Sequence, residues 1–310
     1  MSDPEESGAT VVLRDVARHY GAVRAVDGVS LRMHAGEMFG LIGHNGAGKS
    51  TLFKMMLGLV PASRGTIEID GAAVGTAAFR AARRRIGYLP ENLVLYDNLS
   101  GLETLRFFAR LKGVEARDCP ALLERFGLTH AANRPVREYS KGMRQRLGFA
   151  QALLGSPRVL FLDEPSNGLD PLALRDVHAI LREQKQAGVT IVITSHILSE
   201  LQERVDRLAL LANGKVQALG SVSALRARHR LPLRIRVRIV PGTLPVIRRR
   251  LEALPEVQLH GAELDFQLTC PRETKMTLVG LLADCVDDLR IDEPTLEDVF
   301  FGAEASHAVH

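Results

Sequence analysis

The fold of this chain is decided by the stretch Met38-Phe39-Gly40-Leu41-Ile42-Gly43-His44-Asn45-Gly46-Ala47-Gly48-Lys49-Ser50. Its first five residues form a continuous apolar run, which is typical of a fully buried strand. Three glycines then follow within six residues, and Ser50–Leu57 has the pattern of a helix. The sequence therefore predicts a buried strand, a glycine-rich loop and a helix in direct succession.

The spacing of Gly43, Gly48, Lys49 and Ser50 matches the P-loop, a phosphate-binding motif between a strand and a helix. Glycines let the backbone wrap closely around phosphates, and N–H groups at the helix start point at them. We expect Lys49 to reach the outer phosphates and the Ser50 hydroxyl to bind Mg²⁺. A chance glycine-rich turn would leave the lysine, the serine and a downstream acidic strand unexplained.

That acidic strand is Val159-Leu160-Phe161-Leu162, which is followed directly by Asp163 and Glu164. We expect Asp163 to hold Mg²⁺ through water and Glu164 to polarise an attacking water. A positioned base contributes typically ~10²–10⁴-fold to a rate. Two carboxylates that cap the next helix are the alternative, and the P-loop upstream makes it the weaker one.

A third segment, Tyr139-Ser140-Lys141-Gly142-Met143, lies at the predicted start of a helix. A serine and backbone N–H groups at a helix N-terminus form an anion site that the helix dipole favours. Serine is also a preferred N-cap. The residues alone therefore leave both interpretations of Ser140 and Gly142 open.

Strand and helix patterns alternate after residue 158, and this alternation predicts a mainly parallel sheet covered by helices. The predicted elements are strand 159–163, helix 172–187, strand 189–194, helix 197–204 and strand 207–212. The apolar spacing is helical over roughly residues 98–156, and we expect an inserted helical subdomain at roughly 92–156.

The length of 310 residues suggests two domains. From Pro232 onward, Leu233–Ile239 alternates between apolar and charged residues, as expected of a strand with one buried face. The predicted organisation is a large domain at 10–220, a linker at 221–229, a small α+β domain at 230–301, and flexible tails at 1–9 and 302–310.

Composition excludes several classes of protein. No apolar run approaches the ~18 residues that span a bilayer, and the acidic, polar N-terminus is unlike a signal peptide, so we expect a cytoplasmic chain. The net charge of +4 is dispersed, tryptophan is absent and aromatic residues make up 5%. A nucleic-acid platform needs aromatic residues among its basic ones, so we expect no nucleic-acid partner.

Taken in order, these segments resemble the nucleotide-binding subunits of ABC transporters, and the resemblance covers residues 10–220. The matching features are Tyr20 as the aromatic that stacks on adenine, Gly43–Ser50 as Walker A, Tyr139–Met143 as the signature, Asp163 and Glu164 as Walker B and its catalytic base, Ser166-Asn167-Gly168-Leu169-Asp170 as the D-loop, and Thr194-Ser195-His196 as the segment with the switch histidine.

The resemblance implies an α/β fold of the P-loop NTPase type, with a mixed sheet core and a helical subdomain. It also implies ATP and Mg²⁺ as ligands, and a homodimer in which each ATP lies between one Walker A and the other subunit's signature. The implied catalytic residues are Lys49, Glu164 and His196. The implied metal-binding residues are Ser50, Glu91 and Asp163. The implied nucleotide-binding residues are Tyr20, Gly43, Asn45, Gly46, Gly48, Lys49, Ser50, Thr51, Glu91, Ser140 and Gly142.

The chain departs from this family's pattern at two places. The signature usually reads Leu-Ser-Gly-Gly-Gln, and Tyr139, Lys141 and Met143 replace three of its residues. Glu91 stands where the Q-loop glutamine is usual, which adds negative charge near the predicted metal. Such variants resemble ATPases of ABC-2-type exporters, which are separate chains with a short C-terminal extension, and Pro294–Phe300 resembles the end of that extension.

Within that group, segments such as Tyr88–Asn92 and Phe108–Gly113 resemble the NosF group of ATPases. That resemblance implies a role in assembling the copper centres of periplasmic nitrous-oxide reductase. The implied partners are an integral-membrane permease and, through it, a periplasmic assembly protein, with the ATPase on the inner face of the bacterial membrane.

A generic ABC-2 exporter ATPase is the main alternative function, because related exporters share some of these segments. A soluble ABC ATPase acting on DNA or ribosomes usually has two cassettes or a long coiled coil, and this chain has one cassette without sustained heptads. A phosphotransfer kinase would leave the signature unexplained. The permease contact is expected in residues 92–112, although Leu95, Tyr96 and Leu99 are equally explained as core.

Overall fold

The computed structural model describes residues 9–228 and 232–292 of the chain. The chain divides into two compact units between Ser221 and Val222. In the described residues, no helix is both long enough and apolar enough to cross a membrane.

The first unit contains the glycine-rich loop and both carboxylates. Its strands and helices, in chain order, are β1 (Ala9–Tyr20), β2 (Val23–His34), β3 (Met38–Ile42), α1 (Lys49–Met56), β4 (Arg64–Ile69), β5 (Ala72–Ala73), α2 (Ala77–Ala82), β6 (Ile86–Leu89), α3 (Gly101–Lys112), α4 (Cys119–Arg125), α5 (Lys141–Ala152), β7 (Val159–Asp163), α6 (Pro171–Gln186), β8 (Thr190–Ser195), α7 (Leu198–Leu201), β9 (Arg207–Ala212) and β10 (Lys215–Gly220).

The main sheet of this unit has the strand order β10-β9-β3-β8-β7-β6. Adjacent strands from β9 to β6 are parallel, and within this sheet only the pair β10–β9 is antiparallel. Strands β3, β7 and β8 are buried along their whole length, which explains their continuous apolar sequences. Because parallel strands end at one edge, the residues after β3, β7 and β8 meet there.

A second, antiparallel sheet has the order β2-β1-β4-β5. Helix α1 packs into the core that this sheet shares with the main one, through Leu52, Phe53, Met55 and Met56. The ring of Phe53 meets that of Phe161 edge to face at 5.5 Å between centroids. This packing fixes α1 against β7.

The region between Leu89 and Val159 contains helices and turns but no strand, in agreement with the predicted helical insertion. Its first helix, α3, starts at Gly101, close to residue 98 where the helical pattern was expected to begin. Ser100 and Glu103 form a capping box, in which the Ser100 hydroxyl accepts the Glu103 N–H at 3.2 Å and the Glu103 carboxylate accepts the Ser100 N–H at 2.8 Å. This cap fixes the helix start.

The second unit contains α8 (Val222–Arg228), β11 (Leu233–Ile239), α9 (Leu244–Leu251), β12 (Gln258–Ala262), β13 (Asp265–Cys270), α10 (Lys275–Leu282) and β14 (Val286–Asp292). Helix α8 occupies most of the segment expected as a linker. The antiparallel sheet order β12-β13-β11-β14, with its two helical crossovers, is that of a ferredoxin-like split βαβ fold. The segment Pro294–Phe300 lies outside the described residues.

The predicted alternation of β11 is confirmed. Ile235 and Val237 are buried in the core of this unit beside Leu268. On the other face Arg236 pairs with Asp292 at 2.6 Å, and Arg238 pairs with Asp265 at 3.0 Å. The arginine face of the sheet is therefore a solvated surface neutralised by aspartates.

Candidate nucleotide-binding site

The loop between β3 and α1 requires glycine at two positions because other backbone comes too close. A Cβ on Gly43 would lie 2.4 Å from the carbonyl oxygen of Leu211, and one on Gly48 would lie 2.3 Å from that of Ala25. Gly48 also has a φ of 104° as the residue preceding α1. The loop is thus a tight backbone turn whose open side faces a cleft.

This cleft has a volume of about 700 Å³. It contains most of the predicted ligands from the loop and from the first turn of α1, together with the predicted base-stacking residue Tyr20. The predicted ligands Gly43, Asp163 and Glu91 are not among its described lining residues. The Tyr20 ring is 47% exposed, and the Arg18 guanidinium lies 4.5 Å from its centroid. The described residues that line the cleft are Tyr20, Ala22, Val23, Arg24, Ala25, His44, Asn45, Gly46, Gly48, Lys49, Ser50, Thr51 and Asn213.

Lys49 is the buried cation of the site, with only 6% of its surface exposed. Its ammonium donates to the carbonyl of Gly43 and lies 3.8 Å from Oε1 of Glu164. Burial lowers the pKa of Lys49, and the negative charges of Glu164, Asp163 and Glu91 oppose that shift. The lysine is therefore held between the loop and the carboxylates.

Asp163 and Glu164 are both buried at the end of β7, and Thr194 of β8 binds both of them. Its hydroxyl donates to Oδ1 of Asp163 at 2.6 Å and accepts the backbone N–H of Glu164 at 2.9 Å. Burial raises the pKa of Asp163, and the charge of Glu91 adds to the shift, whereas the Thr194 hydrogen bond and Lys49 oppose it. The pair is thus fixed by a side chain from the neighbouring strand.

Glu164 has a constrained backbone, since its φ of 47° lies in the left-handed region. For a residue other than glycine this conformation costs about 1–2 kcal/mol. Its Oε2 lies 2.8 Å from Nδ1 of His196. The two carboxylate oxygens therefore face different partners, His196 on one side and Lys49 on the other, as suits a base held in one orientation.

Glu91 follows β6, whose last residue Leu89 pairs in register with Leu162 of β7. This register brings Glu91 to the same edge of the sheet as Asp163. Burial together with the charges of Asp163 and Glu91 raises the pKa of Tyr88 to about 12. The substitution at the Q-loop position therefore adds a carboxylate within electrostatic range of the predicted metal ligand.

The signature residues lie elsewhere in the chain. Ser140 caps α5, and its hydroxyl accepts the N–H of Met143 at 3.2 Å. Tyr139 anchors this start through a hydrogen bond of 2.7 Å from its hydroxyl to the carbonyl of Ala131. The described residues that line the cleft include neither Ser140 nor Gly142. The structure thus brings Lys49 of the loop to the Glu164 carboxylate, whereas the signature serine bonds within its own helix start.

The residues of the cleft, together with the carboxylates beside Lys49, fit a nucleoside triphosphate with a divalent cation. The glycine turn offers backbone N–H groups at a helix start, and Lys49 supplies a fixed positive charge. Ser50, Asp163 and Glu91 offer the oxygen ligands that Mg²⁺ prefers.

Sequence patterns missed two residues of this site. The role of Thr194 follows from its register opposite Asp163 in the parallel pair of β7 and β8. Asn213, in the turn between β9 and β10, lines the cleft with a φ of 51°. The only signal for Asn213 is an Asn-Gly turn, which does not indicate a ligand.

Comparison with known proteins agrees with a nucleotide-binding site. A family model described as "ABC transporter" matches residues 26–167. The linearmycin resistance ATP-binding protein LnrL of Bacillus subtilis is 31% identical over 298 residues, which cover 92% of this chain and 95% of that protein.

ATP-binding cassette sub-family A member 7 of Rattus norvegicus is 37% identical over 309 residues, which are 94% of this chain. The match spans only 14% of that much longer relative. Among solved structures, an ATP-binding subunit of an ABC transporter superposes with a TM-score of 0.67 at 35% identity, covering 71% of this chain and 93% of that one. The predicted fold class is thereby confirmed. The chain belongs to the ABC transporter ATP-binding proteins, whose cassettes hydrolyse ATP.

Proposed function

We propose that this chain is the ATP-hydrolysing subunit of an exporter, and that it works as a homodimer that drives a separate integral-membrane permease. The observation that carries this proposal is the division of the site. Lys49 lines the cleft and lies 3.8 Å from Glu164. Ser140 lies exposed at the start of α5, where its hydroxyl accepts the N–H of Met143 instead. Two copies paired head to tail would complete each cleft with the other copy's Ser140 and Gly142.

In the proposed complex the glycine loop and Lys49 bind the phosphates, Asn45, Gly46 and Thr51 complete the lining, and Tyr20 stacks on the base. Ser50, Asp163 and Glu91 would hold Mg²⁺, which when bound neutralises charge that develops on the phosphates. Preorganised charges of this kind are usually the largest single contribution to catalysis.

Hydrolysis also needs a base in a fixed orientation. The Glu164 carboxylate takes up the proton of the attacking water, and its position is set by the 2.8 Å contact with His196. Thr194 holds the backbone of Glu164 and the side chain of Asp163 at the same time. His196 is 45% exposed, so its ring is accessible to a γ-phosphate as well.

Replacement of Glu164 tests this assignment. Glu164→Gln keeps the shape of the side chain but removes the base, so we expect ATP binding and ATP-dependent dimerisation to persist while kcat falls ~10²-fold or more. Size-exclusion chromatography with ATP and a phosphate-release assay measure the two effects. Unchanged turnover would overturn the role of Glu164, and a protein that stays monomeric with ATP would count against the homodimer.

The permease contact is proposed for residues 92–112. Val94, Tyr96 and Leu111 are 85%, 56% and 68% exposed, whereas Leu95 and Leu99 are partly buried. Beside them a groove of about 430 Å³ is lined in part by Phe107 and Arg110. A permease helix in this groove would place the ATPase on the cytoplasmic, inner face of the membrane.

Arg110→Glu tests that contact in the reconstituted transporter. Arg110 is an exposed groove residue of α3, so we expect its reversal to leave the ATPase activity of the isolated subunit unchanged and to weaken stimulation by the permease. Arg175→Glu, on the partly exposed surface of α6, is the matched control. Full coupling in the Arg110→Glu transporter would exclude this groove as the contact.

We propose further that the transporter serves the maturation of the copper centres of nitrous-oxide reductase, as in the NosF group, and acts with a periplasmic assembly protein. The support is the resemblance of segments such as Tyr88–Asn92 and Tyr139–Gly148 to that group. Deletion of the gene in its host, followed by measurement of copper in the purified reductase, tests it. A fully loaded reductase would exclude this role.

An exporter for another substrate is the second candidate. It is favoured by the similarity to a linearmycin resistance protein over 92% of this chain. The same deletion strain distinguishes the two, because loss of antibiotic resistance with an intact reductase supports the second candidate alone.

A further inference from the structure

Lys141 is the first residue of α5, and nothing in helix chemistry favours it there. A helix N-terminus carries partial positive charge, so a lysine in the first turn is unfavourable. Lys141 is also one of the three departures from the usual signature. A residue that is unfavourable for its local structure, within a functional segment, is expected to have a compensating role.

The side chain of Lys141 lies against the D-loop segment Ser166–Asp170 of the same chain. A Cβ on Gly168 would lie 2.7 Å from Cε of Lys141 and 2.9 Å from its Cδ and Cγ. Gly168 has a φ of 82°, which favours glycine for a second reason. The methylene groups of the lysine therefore cover this glycine, and the contact is made by the aliphatic stem.

The signature helix makes a second contact with the same segment. Gln145, which is buried, donates from its side-chain amide to the carbonyl of Pro165 at 3.2 Å. A Cβ on Gly142 would lie 3.3 Å from the carbonyl oxygen of Gly168. The start of α5 and the segment 165–168 are thus packed together along the first turn and a half of the helix.

From this segment, hydrogen bonds continue to the catalytic carboxylate. The Ser166 hydroxyl donates to Oε2 of Glu200 at 2.8 Å, and the Ser195 hydroxyl approaches the same oxygen at 3.4 Å. Ser195 precedes His196, which contacts Glu164 at 2.8 Å. A continuous set of contacts therefore connects Lys141 with Glu164 inside one chain.

We infer that Lys141 is a positioning residue, and that its stem on Gly168 links the two ATP sites of the dimer. The inference rests on the proposed function, because only in a head-to-tail pair do Ser140 and Glu164 of one chain serve different ATP molecules. Capture of one ATP by Ser140 would then fix the segment 165–168 and, through Glu200 and His196, the base at the other site.

Steady-state kinetics of Lys141→Ala, Lys141→Met and Lys141→Arg in the full-length protein test this link. For two coupled sites the Hill coefficient for ATP lies between about 1 and about 2. We expect a value clearly above 1 for the wild type and for the methionine and arginine variants, which keep the unbranched stem. We expect a value near 1 for the alanine variant, with a smaller relative change in kcat.

Lys275→Ala is the matched control, because Lys275 is the first residue of α10 and lies in the second unit. It should leave the Hill coefficient unchanged. A methionine variant that behaves like the alanine variant would show that the charge acts rather than the stem, and would overturn the inference. A wild-type Hill coefficient of 1 would overturn it as well, since there would be no coupling to transmit.

A double-mutant cycle with Gly168→Ala tests the contact without relying on the dimer. Without nucleotide, Gly168→Ala should lower Tm more in the wild-type background than in the Lys141→Ala background. Only in the wild type does the lysine stem occupy the position of the new Cβ. Equal shifts in both backgrounds would refute the contact. If the cycle shows coupling but Glu164→Gln never dimerises, the contact stands and the proposed dimer fails.

Discussion

At the scale of single residues, Thr194 connects the side chain of Asp163 with the backbone of Glu164. It is fully buried, and one hydroxyl serves both Asp163 and the backbone of Glu164. Its removal would leave a buried carboxylate oxygen and a buried N–H without this partner, which costs about 1–3 kcal/mol.

We therefore expect Thr194→Val to lower kcat by about tenfold or more, since a loss of about 1.4 kcal/mol of positioning is one factor of ten. Thr190→Val is the control on the same strand. Thr190 is equally buried, and its hydroxyl bonds to Thr10 and to the carbonyl of His34, each at 3.1 Å. The control should lose stability in thermal unfolding but keep its kcat, and equal losses of kcat would refute a specific role for Thr194.

The glycines of the loop give a second prediction at this scale. The Cβ introduced by Gly48→Ala would lie 2.3 Å from the carbonyl oxygen of Ala25. A Cβ on Gly46 would have no atom of the described residues within 4 Å apart from its chain neighbours. Both have positive φ, so each alanine variant pays a strain of about 1–2 kcal/mol. We expect Gly48→Ala to abolish ATP binding in a fluorescent-nucleotide titration and Gly46→Ala to weaken it less. The reverse order would contradict the steric account of the loop.

At the scale of elements, α6 carries a buried histidine outside the site. Burial lowers the pKa of His178 to about 4, from its usual 6.5, and the charges of Arg204 and Arg182 add to the shift. Since the unfolded chain binds this proton at a higher pH than the folded chain, the free energy of unfolding falls as the pH falls from 6.5 toward about 4.

We expect this loss to reach up to about 3 kcal/mol in the wild type and to be smaller in His178→Leu. Urea unfolding at several pH values measures it. His130→Leu, which replaces an exposed histidine, serves as the control and should keep the wild-type slope. An identical acid dependence for His178→Leu and the wild type would refute this assignment.

The elements that the sequence predicted correctly are those with a strong local pattern. Strands β3 and β7 are continuous apolar runs, and β11 alternates, so their burial is visible in the sequence. The apolar spacing indicated a helical pattern from roughly residue 98, and the capping pair Ser100 and Glu103 sets the start of α3 at Gly101. Helix α8 was expected as a linker because its sequence lies between the patterns of the two predicted domains.

Local sequence patterns also predicted only part of the site. The loop and the pair Asp163–Glu164 are contiguous in sequence and were recognised from it. The bond between Thr194 and Asp163 joins residues that are 31 positions apart and depends on strand register. The stem of Lys141 on Gly168 likewise needs the tertiary packing of α5. Contacts of this kind are absent from any local pattern.

At the scale of the whole molecule, the central claim is that one chain does not contain a complete ATP site. Lys49 belongs to the described cleft, whereas Ser140 does not. In a head-to-tail dimer, a chain without Lys49 and a chain without Ser140 would together form one intact site and one doubly defective site. A site contained in a single chain could not be restored by such mixing.

The most direct test is therefore the phosphate-release rate of a one-to-one mixture of Lys49→Ala and Ser140→Ala proteins, each inactive alone. The account predicts that the mixture recovers up to about a quarter of the wild-type rate, because half of the dimers are mixed and each has one intact site. A mixture that hydrolyses ATP no faster than the mean of the two separate variants would contradict it.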